Sequence, residues 1–177
     1  MVRGCGLGSR SVRLRGVWWK RAVTIDPQPW QFPGRPRVLI ESADPGGAAE
    51  LSAALRRAGC VVATCRGPDG GADPEIRCPL HGLGPCVAVE GADLVVTALD
   101  LDQESGRDVL RGLRTRYPSV PLVVVATAAQ AGDLDELLAG CTRVSSEAET
   151  AELLAAVLAA LPSSDGSPGS TSPNLAS

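Results

Sequence analysis

Asp93-Leu-Val-Val-Thr-Ala-Leu-Asp-Leu-Asp-Gln-Glu-Ser-Gly106 is the stretch from which the rest of the chain can be read. Leu94 to Leu99 is a short apolar run, and Asp100, Asp102 and Glu104 follow it closely. A run that brief, ending in loop residues, predicts a buried strand that feeds an acidic loop. Ser105, with Asp108 three residues on, predicts a helix start with a capping box.

The same rhythm extends in both directions. Upstream, Val38-Leu39-Ile40 predicts a short buried strand, and Asp44-Pro45 supplies an N-cap with proline at the first helical position. Leu51, Ala54, Leu55 and Ala58 share one helical face until Gly59, and a second strand runs from Cys60 to Thr64. Downstream, Val109, Leu110 and Leu113 form the inner face of a helix that stops before Pro118. A strand at Leu122 to Thr127, a short helix from Asp133 to Ala139 and a strand at Thr142 to Val144 follow. A last helix, opened by Ser146 with Glu149, places Leu153, Leu154, Val157, Leu158 and Leu161 on one side and ends at Pro162.

Five apolar strands alternate with helices, and the strands lack strict two-residue alternation. This predicts an α/β fold, a doubly wound parallel five-stranded sheet covered on both faces, with strand order 2-1-3-4-5. The domain spans residues 37 to 162. Residues 65 to 90 interrupt it: a Cys-, Gly- and Pro-rich insertion stands where the second helix of such a fold belongs, leaving room for about one helical turn near Val87 to Gly91.

The net charge of -3 conceals a strong asymmetry. Eight of the 17 Lys and Arg residues lie in residues 1 to 37 beside one acid, Asp26, leaving nine basic against nineteen acidic residues in the remainder. An acidic domain of this kind is a poor candidate for binding nucleic acid. Residues 1 to 36 have no helical or strand period and hold Trp18, Trp19, Trp30 and Phe32, which predicts a disordered basic tail. Arg13 to Arg21, with two indoles inside it, has the chemistry for an anionic membrane surface or single-stranded nucleic acid, although a solvated tail is the simpler reading. Residues 163 to 177 are Ser, Gly and Pro and predict a second disordered tail. No stretch has the roughly 18 consecutive apolar residues of a membrane span, and basic residues near the start have no apolar run behind them. Arg-rich, Lys-poor composition with abundant Ala and Gly points to a bacterial protein, and cytoplasmic placement is expected.

The Asp93 to Gly106 stretch resembles the third strand and following loop of bacterial response-regulator receiver domains, and the resemblance extends over about Arg37 to Leu161. In that family the strand ends in a phosphorylated Asp, five residues after the Asp that opens it and eight before a Gly. Both counts reach Ala98, and the family's proline four residues later falls on Asp102. Two acids after the first strand hold Mg²⁺ in receivers; here Ser42 and Ala43 take their places, leaving Asp44 before Pro45. Thr127 matches the Thr or Ser that ends the fourth strand, and Ser146 stands where the family has a Lys. The resemblance therefore implies a degenerate pseudo-receiver: a non-catalytic signalling or scaffolding domain that acts through protein contacts. By analogy with the family's partner face, a protein partner or second copy would bind about Asp133 to Leu161. A shift of two residues would instead make Asp100 the nucleophile, with Asp44 and Asp102 as Mg²⁺ ligands. No DNA-binding motif or membrane span is expected, and no cofactor is required.

The cysteines open a separate reading. Cys78-x2-His81-x4-Cys86, with Cys65 thirteen residues upstream, offers three thiols and the chain's one His. Cys3His is a structural zinc set, and zinc would supply folding energy to a segment with little core of its own. A zinc- or redox-responsive module, a Cys78 to Cys86 disulfide and free thiols are the alternatives here. Cys60 and Cys141, beside strands, are expected as small core residues.

Overall fold

In the computed structural model, which describes Trp30 and residues 34–68, 78–82 and 84–162, the apolar runs form one parallel sheet. Its strands β1 (Arg37–Ser42), β2 (Val61–Cys65), β3 (Leu94–Ala98), β4 (Leu122–Ala126) and β5 (Thr142–Ser145) lie in the expected order β2-β1-β3-β4-β5. β1 and β3 are central and covered on both faces, which explains their continuous aliphatic runs. β5 is an edge strand that buries only Val144, and Arg143 discourages another strand from adding there.

Among the described residues, six helices cover the sheet. α1 (Pro45–Arg57) and α6 (Thr150–Ala160) pack one face, over Val38, Ile40, Leu94 and Val96. α2 (Val87–Glu90), α3 (Glu104–Arg116), α4 (Ala128–Asp133) and α5 (Asp135–Leu138) lie along the chain on the opposite side, where Leu39, Val95 and Val124 meet Val89, Leu110, Leu113 and Leu138. α1 begins as its sequence predicts: the Asp44 carboxylate accepts the Gly46 and Gly47 N–H groups, each at 2.9 Å, and Pro45 occupies the first turn. It ends at Gly59, whose φ of +92° is a backbone setting that side-chain-bearing residues seldom adopt.

Other helix boundaries differ from the sequence-based expectation. α3 starts at Glu104 with Gln103 as N-cap and no side-chain cap bond, so Ser105 lies inside the first turn. Glu104 favours this earlier start because a carboxylate suits the positive end of a helix, and it pairs with Arg107 at 2.6 Å. The expected helix Asp133–Ala139 is two pieces broken at Leu134, and the first piece starts five residues earlier because Thr127 and Gln130 form a capping box. α6 is capped by neither Ser146 nor a side-chain bond from Glu149, its N-cap residue. Val157 is buried, but Leu158 is 40% exposed. Successive helical residues turn by roughly 100°, so the two cannot both point at one sheet. Ala58 is likewise exposed rather than on the inner face of α1.

The described part of the 65–90 insertion is an ordered cover. A 3-10 turn, Pro79–Gly82, buries Leu80 completely, and α2 buries Ala88 and Val89. α3 receives this turn at Gly112, where a Cβ would lie 2.6 Å from the Leu80 carbonyl oxygen. The Tyr117 hydroxyl accepts the Cys86 N–H at 2.7 Å and ties α2 to the end of α3. Residues 69–77 and Leu83 lie outside the described residues, as do 1–29, 31–33 and 163–177, where the two tails were expected. Trp30 departs from the tail expectation: its indole packs on the core and on Gly91, with the Arg37 guanidinium 6.0 Å from its ring centre. Among the described residues no helix is long and apolar enough to cross a membrane.

Candidate functional site

The residues aligned with the receiver pocket lie at the carboxyl ends of four neighbouring strands, the edge of an open α/β sheet where ligands generally bind. Ser42 ends β1 and is the register partner of Ala98, which ends β3. Thr127 follows β4, and Ser146, whose N–H bonds the Ala126 carbonyl at 3.0 Å, follows β5.

Local structure uses the polar groups of this edge. The Ser42 hydroxyl donates to the Asp44 carbonyl at 3.1 Å and accepts the Asp44 N–H at 3.2 Å. Both Asp44 oxygens cap α1, and those two N–H groups hold the Asp44 carboxyl below the usual carboxylate range. Ala43 is exposed and contributes no ligand atom beyond the backbone. Asp100 is exposed and accepts the Asp102 N–H at 2.9 Å, closing an Asx turn. Arg107 then binds the Leu101 and Asp102 carbonyls at 2.9 and 3.0 Å. Leu99 and Leu101 anchor this loop in the core. Thr127 accepts the Gln130 N–H at 3.2 Å, so its hydroxyl starts α4.

The chemistry that sequence reasoning missed lies one residue earlier on β1. Glu41 is only 1% exposed, and the Thr97 hydroxyl donates to it at 3.3 Å. Burial pushes its carboxyl up to about 7, partly opposed by the Thr97 bond. Glu41 has the parity of Leu39, so it points away from the Ser42 side and beneath the cysteine-bearing cover. The available signal was that parity: β1 runs on to Ser42, so a charged residue beside its aliphatic run had to be inside the fold.

The four residues expected to bind metal do not gather as a set. His81 is half-exposed and its Nε2 stands 3.6 Å from an Asp108 oxygen, on the α3 side. Among the described residues no group of three or more His, Cys, Asp or Glu side chains has an arrangement able to hold a metal ion. Cys65, Cys78 and Cys86 are free thiols packed in or against the same core cluster. Burial, reinforced by Glu41, pushes Cys65 up to about 12 and Cys78 up to about 11, and Cys86 is raised chiefly by burial. Such thiols stay protonated near neutral pH and are poor nucleophiles. Cys60 is buried as expected; Cys141 is half-buried and lines an open recess with Arg114, Tyr117 and Val120 at the opposite edge of the sheet.

No family model matches this chain, and no curated protein matches it. Solved structures do. The signal receiver domain of an HD domain-containing protein from Pseudomonas fluorescens Pf-5 aligns with a TM-score of 0.53 and 20% identity, over 71% of this chain and 94% of that one. The apo receiver domain of nitrogen regulatory protein C aligns with a TM-score of 0.53 and 18% identity, over 71% and 94%. A response regulator receiver domain protein from Clostridium thermocellum gives 0.51 and 13%, over 71% and 93%. At these identities the likeness establishes the fold alone: the chain has the flavodoxin-like architecture also seen in response-regulator receiver domains.

Proposed function

We propose that this chain is a pseudo-receiver, a non-enzymatic signalling or scaffolding domain that works through protein contacts without phosphorylation at the receiver position. The observation that carries the reading is the Ser42 and Ala98 pair at the ends of adjacent strands. A methyl group cannot attack phosphorus, and Ser42 and Ala43 offer no carboxylate for Mg²⁺, a hard cation that wants such oxygens. Asp44 is engaged in capping α1, and Ser146 supplies no cation to pair with an acyl phosphate. Contacts with a protein partner or a second copy, within a bacterial cytoplasm, are assigned to the Asp133 to Leu161 face.

The test is treatment of the full chain with acetyl phosphate and Mg²⁺, read by intact mass. The expected result is no phosphoryl adduct. An adduct that disappears in Asp100→Asn would transfer the protein to the phosphorylatable class, with Asp100 as acceptor and Asp44 and Asp102 as metal ligands.

A further inference from the structure

The two ends of the sheet differ in charge. Beyond the carboxyl ends of the strands lie Asp44, Asp100, Asp102, Glu104, Glu147 and Glu149. The amino ends carry arginine instead. Arg35 precedes β1 and Arg37 opens it, Arg56 and Arg57 lie in the last turn of α1, and Arg114 and Arg116 lie in the last turn of α3, ahead of β4. Arg35, Arg56, Arg57 and Arg116 are exposed. Arg56 bonds the Val62 carbonyl at 3.2 Å and Arg114 bonds the Glu136 and Leu137 carbonyls at 2.8 and 2.7 Å, neutral partners that leave the guanidinium charges in place. Of the acids near this end, Asp93 is taken up by Arg37 and Asp135 by Arg143, leaving Glu90 and Glu136 to oppose the rest.

Helix-dipole complementarity accounts for a basic residue in a last helical turn. It does not account for Arg35, and α6 ends at the same edge of the sheet with no basic residue in its last turn. The chain preceding the domain also joins it here. Trp30 packs on Gly91, and the Arg37 guanidinium stands 6.0 Å from its ring centre, both at the amino end. Residues 1 to 29 are therefore tethered to the arginine-bearing end. They bring Arg3, Arg10, Arg13, Arg15, Lys20 and Arg21 against Asp26, with Trp18 and Trp19 among them.

We propose that the amino end of the sheet, with Arg35, Arg57 and Arg116 as its exposed charges, docks on an anionic lipid surface that the tethered basic segment meets as well. Arginines held near an anionic leaflet attract it electrostatically, and indoles favour the headgroup layer. Pro118 and Pro121, which border the recess beside Arg114, add apolar contact at the same end. Single-stranded nucleic acid fits this end less well. It is held by exposed aromatic faces along a basic groove, whereas Trp30 and Tyr117 are both packed against the core. The acidic carboxyl end stands roughly 16 Å away, the length of a five-residue strand, beyond the Debye length of about 8 Å at physiological ionic strength. Docking in this orientation leaves the Ser42 and Ala98 edge turned toward solution.

The experiment is flotation of the full chain with vesicles of phosphatidylglycerol mixed with phosphatidylcholine, and with vesicles of phosphatidylcholine alone. Binding to the first and not to the second is expected, weakening as salt is raised. Arg57→Gln and Arg116→Gln should each weaken binding about fivefold, and together about 25-fold. Arg66→Gln makes the same charge change at an exposed residue just past the carboxyl end of β2, and should alter binding less than about twofold. No flotation of the wild type overturns the proposal. Flotation that ignores Arg57→Gln and Arg116→Gln, or that Arg66→Gln weakens equally, assigns binding to the tail or to net charge and overturns the docking end. Capture of a single-stranded oligonucleotide without flotation reassigns the surface to nucleic acid. Salt-sensitive self-association lost in the same two variants, again without flotation, reassigns it to the acidic end of a second copy.

Discussion

Asp93 opens β3, and its carboxylate reaches back to β1: Oδ2 accepts the Arg37 N–H at 2.8 Å and Nε–H at 3.0 Å, while Oδ1 accepts from Nη2 at 2.7 Å. The bidentate geometry pins the starts of two central strands, and the pair is about one-third exposed. Solvent screening holds its net contribution to about 1 kcal/mol. The Arg37 hydrogen bonds hold the Asp93 carboxyl below its usual range. A carboxyl depressed in the folded state stabilises fully above its unfolded pKa of about 3.9 and loses that contribution as pH falls through the folded value. Asp93→Asn should therefore cost about 1 kcal/mol at neutral pH, with the gap to wild type closing on acidification, as measured by urea midpoints across pH. A gap independent of pH would make the contact one of shape rather than charge.

At the scale of elements, α3 is fitted to the insertion through glycine. In isolation Gly112→Ala would favour the helix by about 1 kcal/mol, because alanine loses less backbone entropy. Here the added methyl would lie 2.6 Å from the Leu80 carbonyl oxygen, an approach that backbone must yield to. The clash outweighs propensity, and the expected result is a net loss of about 1–3 kcal/mol by thermal unfolding. Gly132 in α4 is the control, since a Cβ there meets nothing within 4 Å, and Gly132→Ala should raise stability by up to about 1 kcal/mol. Opposite signs from one substitution type would locate the Leu80 contact as the cause. Helix starts were the least legible elements, since Ser105 and Ser146 carry capping chemistry that the tertiary placement of α3 and α6 leaves out of their N-cap positions.

Over the whole molecule, both sheet faces carry a buried core, closed by α1 and α6 on one side and by the Pro79–Gly82 turn with α2 to α5 on the other. Leu158 remains 40% exposed on α6, at the face assigned to protein contacts, and β5 lies beside it as an open edge. Leu158→Glu should leave the unfolding midpoint within about 0.5 kcal/mol of wild type, as exposed sites generally do. The same variant should reduce self-association measured by sedimentation. Unchanged association would remove Leu158 from the contact surface.

The fold was legible because its signals are local and repeated: short unbroken aliphatic runs, an Asp-Pro helix start, and helices between strands that forced parallel pairing. The receiver resemblance, through the family's spacing from Asp93 and Gly106, likewise implied Ala98 as the end of the strand, and β3 stops there. The chemistry beneath the insertion was not legible, because it depends on which side chains share a face and a register across 23 residues of intervening chain. Spacing alone grouped His81 with the cysteines, whereas folding turned His81 toward Asp108 and put Glu41 beside Cys65. By itself the sequence determined the short buried strands and the helices alternating with them, since burial periodicity and turn chemistry act over a few residues; the strand order was an expectation of the fold class, and the residues at the carboxyl edge were expectations of the receiver resemblance. Only the tertiary structure decided which polar groups lie buried together, because strand parity and pairing set a side chain's neighbours.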